Sequence, residues 1–193
     1  MTKEITFIDV GSHSGQTLLK AIQEFPDCSK YVGIDPVYSL IEQARSRLTD
    51  ERVVLCCCAL DALPAGTYYT IKTLYRDDTW TKLGSSLLSD KSTAKRSECQ
   101  VPCFDANDYL SWIAPTGEII LKMDIEGKEY DVLDSLLDSE FLQNRVIKLY
   151  AEWHWHKTKT VSAARHWDLI ERLNSIGFPV TGHSRQDEYY CGL

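Results

Sequence analysis

Short apolar runs alternate with amphipathic stretches along most of this chain. Phe7-Ile8-Asp9-Val10 reads as a buried strand running into the loop Gly11-Ser12-His13-Ser14-Gly15. From Gln16 to Phe25 the apolar residues Leu18, Leu19, Ile22 and Phe25 form a helical stripe, stopped by Pro26-Asp27. Tyr31–Asp35 is a second strand, and Ser39 is placed to cap a helix through about Leu48. Arg52–Leu60 predicts one continuous apolar strand, the pattern of a parallel sheet covered on both faces. Asp105 or Asn107 caps a helix through Ile113, and Glu118–Met123 and Val146–Trp153 are further strands. Helices are expected around Tyr130–Leu137 and Ala164–Ile176, the latter stopped by Gly177. Strands and helices alternating over short connections predict an α/β fold: a Rossmann-like, doubly wound, mostly parallel sheet with helices on both faces.

The rhythm breaks between Gly66 and about Phe104. Thr67–Leu74 is rich in β-branched and aromatic residues, and Glu98–Phe104 is its expected hairpin partner. Between them lie Gly84-Ser85-Ser86 and the polar run Asp90–Ser97. This β-hairpin and loop insertion is either a substrate-side lid or a surface excursion. Phe178–Leu193 is long enough for one or two edge strands. Residues 1–193 are read as a single domain.

Composition narrows the function classes. The chain is 193 residues, 44% hydrophobic, with a formal net charge of −7, which argues against a generic nucleic-acid or anionic-membrane binder. Its longest apolar run, Val53–Leu60, is eight residues. A membrane span needs about 20. The polar start reaches a strand within a few residues, so no signal or transit segment is expected. Seven cysteines is an odd number, and Cys56-Cys57-Cys58 are consecutive, which puts neighbours on opposite faces of a strand rather than around one metal. They read as small hydrophobes in a doubly buried strand, in a reducing, cytoplasmic compartment.

The candidate chemistry sits at strand ends. Asp35 lies 20 residues after Gly15, the spacing of an acid that takes the hydroxyls of a ribose held over a glycine loop. A dinucleotide fingerprint would read G-x-G-x-x-G. Here Asp9 stands two residues before Gly11, and the next glycine is Gly15. An acid there repels a pyrophosphate but suits a cation, as in S-adenosylmethionine. His13, between the glycines, is expected to need a left-handed backbone. Two further strand ends carry polar residues: Lys122, Asp124 and Glu126, then Glu152, His154 and His156. Within each set the residues alternate, so they share a face while the backbone stays extended. Capping and turn formation are the structural alternative for Asp124 and Glu126, and solvated loop residues for the histidines.

Phe7–Gly15 together with Leu121-Lys122-Met123-Asp124-Ile125-Glu126-Gly127-Lys128-Glu129 resembles the FkbM-type S-adenosylmethionine-dependent methyltransferases. Their hallmarks are an Asp-Val-Gly-x-Asn-x-Gly loop and a Lys-x-Asp-x-Glu-Gly-x-Glu block. Gly84-Ser85-Ser86-Leu87, Phe104-Asp105 and Glu152-x-His154 are similar to further family elements. His13 replaces the usual Asn, and Asp35-Pro36 stands where the family more often has Glu-Pro.

The resemblance implies methyl transfer from S-adenosylmethionine to an oxygen, with a small-molecule or saccharide acceptor. Asp9, Gly11, Ser12, His13, Gly15 and Asp35 are assigned to the cofactor, with Ala59 and Leu60 against adenine. Asp124 and Glu126 bridge the cofactor's amino-acid end and the acceptor, and Glu152 or His154 is the expected base. Asp124, Glu126, Glu152 and His154 could also ligate a metal, but they belong to two separate strand ends, and no metal site is assigned. The rival readings are an NAD-dependent oxidoreductase and a catalytically inert binding module of the same fold.

Overall fold

A computed structural model describes residues 4–78, 84–91 and 96–178 of the chain. Five parallel strands form the main sheet: β1 (Ile5–Val10), β2 (Lys30–Ile34), β3 (Val53–Cys56), β7 (Glu118–Met123) and β8 (Val146–Ala151), in the order β3-β2-β1-β7-β8. The chain winds outward from β1 through β2 to β3, then returns to add β7 and β8 on the other side. The switch point therefore falls between β1 and β7, where open α/β sheets take their ligands.

Alternation along each strand supplies both faces. Phe7, Tyr31 and Ile120 point to one side, under α1 (Gln16–Glu24) and α2 (Tyr38–Arg47), where Leu18 and Ala44 meet them. Ile8, Val10, Ile34 and Leu121 point to the other, beneath α3 (Ala106–Ile113), α4 (Glu129–Asp138), α5 (Phe141–Arg145) and α6 (Ala163–Ser175). Asp105 caps α3 by accepting the Asp108 N–H, so the cap is Asp105 rather than Asn107. At the end of α6, Phe178 N–H bonds Leu173 O and Gly177 N–H bonds Asn174 O, the paired closure expected of a glycine stop.

The insertion forms its own sheet, β4-β6-β5, from β4 (Ala59–Asp61), β5 (Tyr69–Asp77) and β6 (Arg96–Asp105). β5 and β6 are antiparallel with Tyr69 opposite Phe104, as the hairpin reading predicts. Val37 and Leu40 at the start of α2 pack with Ala59, Leu74, Val101 and Cys103, which seats this sheet beside the strand ends.

Several expectations need correction. Arg52–Leu60 is not one strand: β3 ends at Cys56, Cys57 is exposed, and Cys58 turns inward before β4 joins the second sheet. β3 is half-buried because it is an edge strand, so the cysteine triplet is not enclosed on both faces. The helix expected from Ser39 starts at Tyr38 with Val37 as its N-cap. The strand expected through Trp153 stops at Ala151. Edge strands proposed within 178–193 fall, beyond Phe178, outside the described residues. Among the described residues no helix is long and apolar enough to cross a membrane.

Candidate functional site

A cavity of about 430 Å³ opens beyond the carboxyl ends of β1, β2 and β7. Small-molecule sites run from about 300 to 1,000 Å³. One part of its wall is apolar, from Val10, Ile34, Val37, Leu40, Ala59 and Leu60. Asp35 faces it at the β2 end, and Asp124, Glu126 and Glu152 face it at the β7–β8 end.

The loop after β1 is tied to the end of β2. Gly11 and Ser12 N–H groups both bond Ile34 O, His13 N–H bonds Asp35 Oδ2 at 3.0 Å, and Gly15 N–H bonds Ser12 O. His13 holds φ 48°, the left-handed conformation expected of it. Gly11 is required for a different reason than closeness to a ligand. Its φ is 83°, and an added Cβ would lie 1.7 Å from the Asp124 carbonyl oxygen. Gly15, at φ 79°, likewise meets Leu48 and Ala44 of the chain itself. Gly11 lets two backbone segments cross, and Gly15 makes room for side chains of α2 and its C-cap.

Asp35 is 7% exposed, with Oδ1 accepting the Val37 N–H at 2.8 Å and Oδ2 the His13 N–H. Burial raises its carboxyl to about 6, opposed by those two N–H groups. Ala59 and Leu60 lie on the cavity wall as anticipated. Asp9, Ser12 and Gly15 do not line it. Asp9 is fully buried on the α1 and α2 side of the sheet, directly opposite Lys122, whose Nζ stands 3.0 Å from its Oδ1. Burial raises the Asp9 carboxyl, and Lys122 opposes the shift. The acid expected to meet a ligand's cation instead meets a lysine of the next strand.

At the other end the extended-strand reading fails for a useful reason. β7 ends at Met123, and Asp124–Gly127 turns sharply, with Glu126 at φ 57°. Lys122 sits between Asp9 and Asp124, its Nζ 3.0 Å from Asp9 Oδ1 and 3.5 Å from Asp124 Oδ2, while Asp124 and Glu126 face the cavity. β8 ends at Ala151, so His156 leaves the set and is exposed. Glu152 and His154 stay together: Nε2 of His154 is 3.1 Å from Glu152 Oε1, 3.4 Å from Glu126 Oε2 and 3.8 Å from Asp124 Oδ1. Four residues from two strand ends converge because β7 and β8 are neighbours.

His154 is fully buried and lies behind the cavity wall. Burial alone would push its pKa down, but the carboxylates of Glu129, Glu152 and Glu126 lift it to about 10. In this charge state the ring carries both protons and cannot act as the base expected of it. Burial raises the Glu126 carboxyl, against His154 and Lys91, while His154 pulls Glu152 down.

The family model described as Methyltransferase FkbM domain matches residues 9–178. This chain belongs to the FkbM methyltransferase family. Among solved structures it is similar to Methyltransferase FkbM from Methylobacillus flagellatus KT, at 16% identity and TM-score 0.50. That likeness covers 90% of this chain and 37% of the other, so the chain spans little over a third of that protein, and it shows the fold. A proposed S-adenosylmethionine dependent methyltransferase from Listeria monocytogenes matches more weakly, at 15% identity and TM-score 0.29, over 56% of this chain and 71% of that one. No curated protein matches.

Within this FkbM-family chain, Glu129 is the site residue that sequence reasoning left without a role. It is fully buried, accepts N–H groups from Ile125 at 2.9 Å and Gly127 at 2.8 Å, and holds His154 Nδ1 at 2.8 Å. It thus shapes the Asp124–Gly127 turn and orients His154 together. Its place three residues after Glu126, closing the acidic block, was the available signal. The insertion also reaches the site. Ser85, Ser86 and Leu87 line the cavity, Ser86 Oγ donates to Glu126 O at 2.8 Å, and the buried Lys91 ammonium pairs with the Glu126 carboxylate.

Proposed function

We propose that this chain is an S-adenosylmethionine-dependent methyltransferase acting on a hydroxyl of a small molecule or saccharide. The observation that carries the reading is the hydrogen-bond state of the first loop. Its N–H groups at Gly11, Ser12, His13 and Gly15 are all used inside the protein. A dinucleotide's pyrophosphate needs such groups free at a helix N-terminus. Carboxylates face the cavity at both ends, Asp35 at one and Asp124, Glu126 and Glu152 with Lys128 and Lys157 beside them at the other; the first suits ribose hydroxyls and the acidic set a cationic amino-acid group.

When bound, S-adenosylmethionine supplies a methyl group on a positively charged sulfur. Asp35 accepts from the ribose hydroxyls, Ala59 and Leu60 cover the adenine, and Asp124 takes the ammonium. Glu126, a carboxylate on the cavity wall, is the better base candidate than the enclosed His154, and it takes the acceptor's hydroxyl proton. Leu74 and Ser85–Leu87 exclude water from the reacting groups. Aligning acceptor and sulfur contributes several kcal/mol of the rate enhancement, and a positioned base typically contributes about 10²–10⁴-fold.

Thermal melting with S-adenosylhomocysteine and with NAD tests the cofactor. At ~100 times its dissociation constant a ligand stabilises by about 2.7 kcal/mol, which for this chain length is roughly 5–10 °C. A shift with the adenosyl compound alone is expected. A shift with NAD alone would replace this reading with the oxidoreductase, and no shift with either would favour the inert module.

A further inference from the structure

The acidic end of the cavity has the donor set of a metal centre. Asp124, Glu152 and His154 each offer one ligand atom, and these atoms all lie within 4.8 Å of one another. His154 Nε2 is 3.1 Å from Glu152 Oε1 and 3.8 Å from Asp124 Oδ1. Divalent first-row ions hold nitrogen and oxygen donors at about 2.0–2.2 Å, which sets adjacent donors about 3 Å apart at right angles. The set is thus near coordination spacing before any ion enters.

Glu129 decides which ring nitrogen is offered. Its carboxylate, 2.8 Å from His154 Nδ1 and fully buried, holds a proton on that nitrogen and turns Nε2 toward Asp124 and Glu152. A carboxylate behind a histidine in front of an ion is the recurrent second layer of metal sites, where it fixes tautomer and ring orientation. Glu126 is also near Nε2, but the oxygen that approaches it, Oε2, is the one that Lys91 holds. The arrangement has a closed back and an open front. His154 is fully buried, while Asp124 and Glu152 line the cavity.

We propose that Asp124, Glu152 and His154 bind one divalent cation, which displaces the Nε2 proton of His154 to solvent, with Glu129 as the positioning residue and the open coordination positions facing the cavity. One imidazole and two carboxylates suit a cation of intermediate hardness such as Mn²⁺, and the absence of thiolate argues against a closed zinc site. The ion site stands on its own geometry. Its use, holding an acceptor oxygen and lowering the pKa of its hydroxyl, rests on the methyltransferase reading, with Asp124 Oδ1 given to the ion and Oδ2 left for the cofactor's ammonium.

The test is a Mn²⁺ titration of the chelator-stripped full chain, followed by electron paramagnetic resonance of the free ion, with S-adenosylhomocysteine binding measured separately in chelator. One saturable equivalent is expected. Glu152→Gln and Asp124→Asn, both near-isosteric, should each weaken it at least tenfold, and Glu129→Gln by about 10–100-fold at unchanged stoichiometry. Circular dichroism confirms that each variant is folded. The site is refuted if neither Mn²⁺, Mg²⁺ nor Zn²⁺ saturates the folded wild-type chain, or if Glu152→Gln and Asp124→Asn leave Mn²⁺ affinity unchanged. Adenosyl binding without metal binding refutes the ion site and leaves the methyltransferase reading standing. Metal binding without adenosyl binding does the reverse.

Discussion

The two ends of the cavity are built on opposite physical plans. At the β1–β2 end the work is done by backbone: a tight loop whose N–H groups are satisfied internally, with one carboxylate held by two of the chain's own N–H groups. At the β7–β8 end it is done by side chains: Asp124, Glu126, Glu129 and Glu152 gathered round a single imidazole. The first end is held by backbone bonds that tie the loop to the end of β2 at Ile34 and Asp35. The second holds a concentration of like charge that persists only because Lys91, Lys122 and the ring offset it. A ligand at the first end needs only to fit, whereas a cation at the second relieves repulsion already present.

Breaking the backbone end should cost most. Gly11→Ala places a Cβ against the Asp124 carbonyl at a positive φ, so we expect a loss of about 4 kcal/mol or more, or failure to fold, in denaturant melts. If Gly11→Ala melts like wild type, the two ends are not locked together through that contact.

The side-chain end should give a smaller structural loss and a distinct signature. Glu129→Gln removes a buried charge opposite His154, and about 3 kcal/mol of stability is expected to go with it. The His154 ring nitrogens should then titrate at lower pH in nitrogen-detected NMR, because the carboxylate 2.8 Å from Nδ1 that lifts them is gone. Unchanged ring titration would mean that Glu129 does not set the charge of the cluster.

Asp35→Asn addresses ligand binding at the first end. Losing a charge-assisted hydrogen bond is worth about 1.5–3 kcal/mol, so S-adenosylhomocysteine affinity by calorimetry should fall by about tenfold or more. Equal affinity in the variant would remove the ribose assignment. The smallest effect is the pH dependence of that same binding. Asp35 accepts ribose hydroxyls best when ionised, and its carboxyl sits at about 6. Affinity should therefore stay level above pH 7 and fall as pH drops through 6, by at most about tenfold per unit. The Asp35→Asn variant should lack that component, and a profile identical in both proteins would point to another group.

Much of the first end was legible because its residue types stand at short, regular spacing, although the contacts that fix them run to β2 and Asp124. The Gly11–Gly15 loop, the left-handed His13 and the strand-end Asp35 follow from local backbone requirements. So does the hairpin of Thr67–Leu74 with Glu98–Phe104, whose alternation and turn residues mark it. The second end was half legible. Asp124, Glu126, Glu152 and His154 stood out as polar residues at strand ends, but their mutual arrangement did not. Period-two alternation put Lys122, Asp124 and Glu126 on one face; Lys122 does reach Asp124, but Glu126 is brought in by a turn because the strand stops at Met123. Glu129 passed without a role because an acid in the first turn of a helix is ordinary there.

By itself the amino-acid order determined the strand–helix rhythm, the parallel α/β class and the residue types gathered at each strand end. These follow from side-chain spacing against the fixed repeats of helix and strand. Only the tertiary structure decided that the apolar run divides at Cys57 between two sheets, that Asp9 faces Lys122, and that four carboxylates surround His154. Each of those depends on which strand lies beside which. Long-range packing across the whole sheet chooses those neighbours, and no local period encodes them.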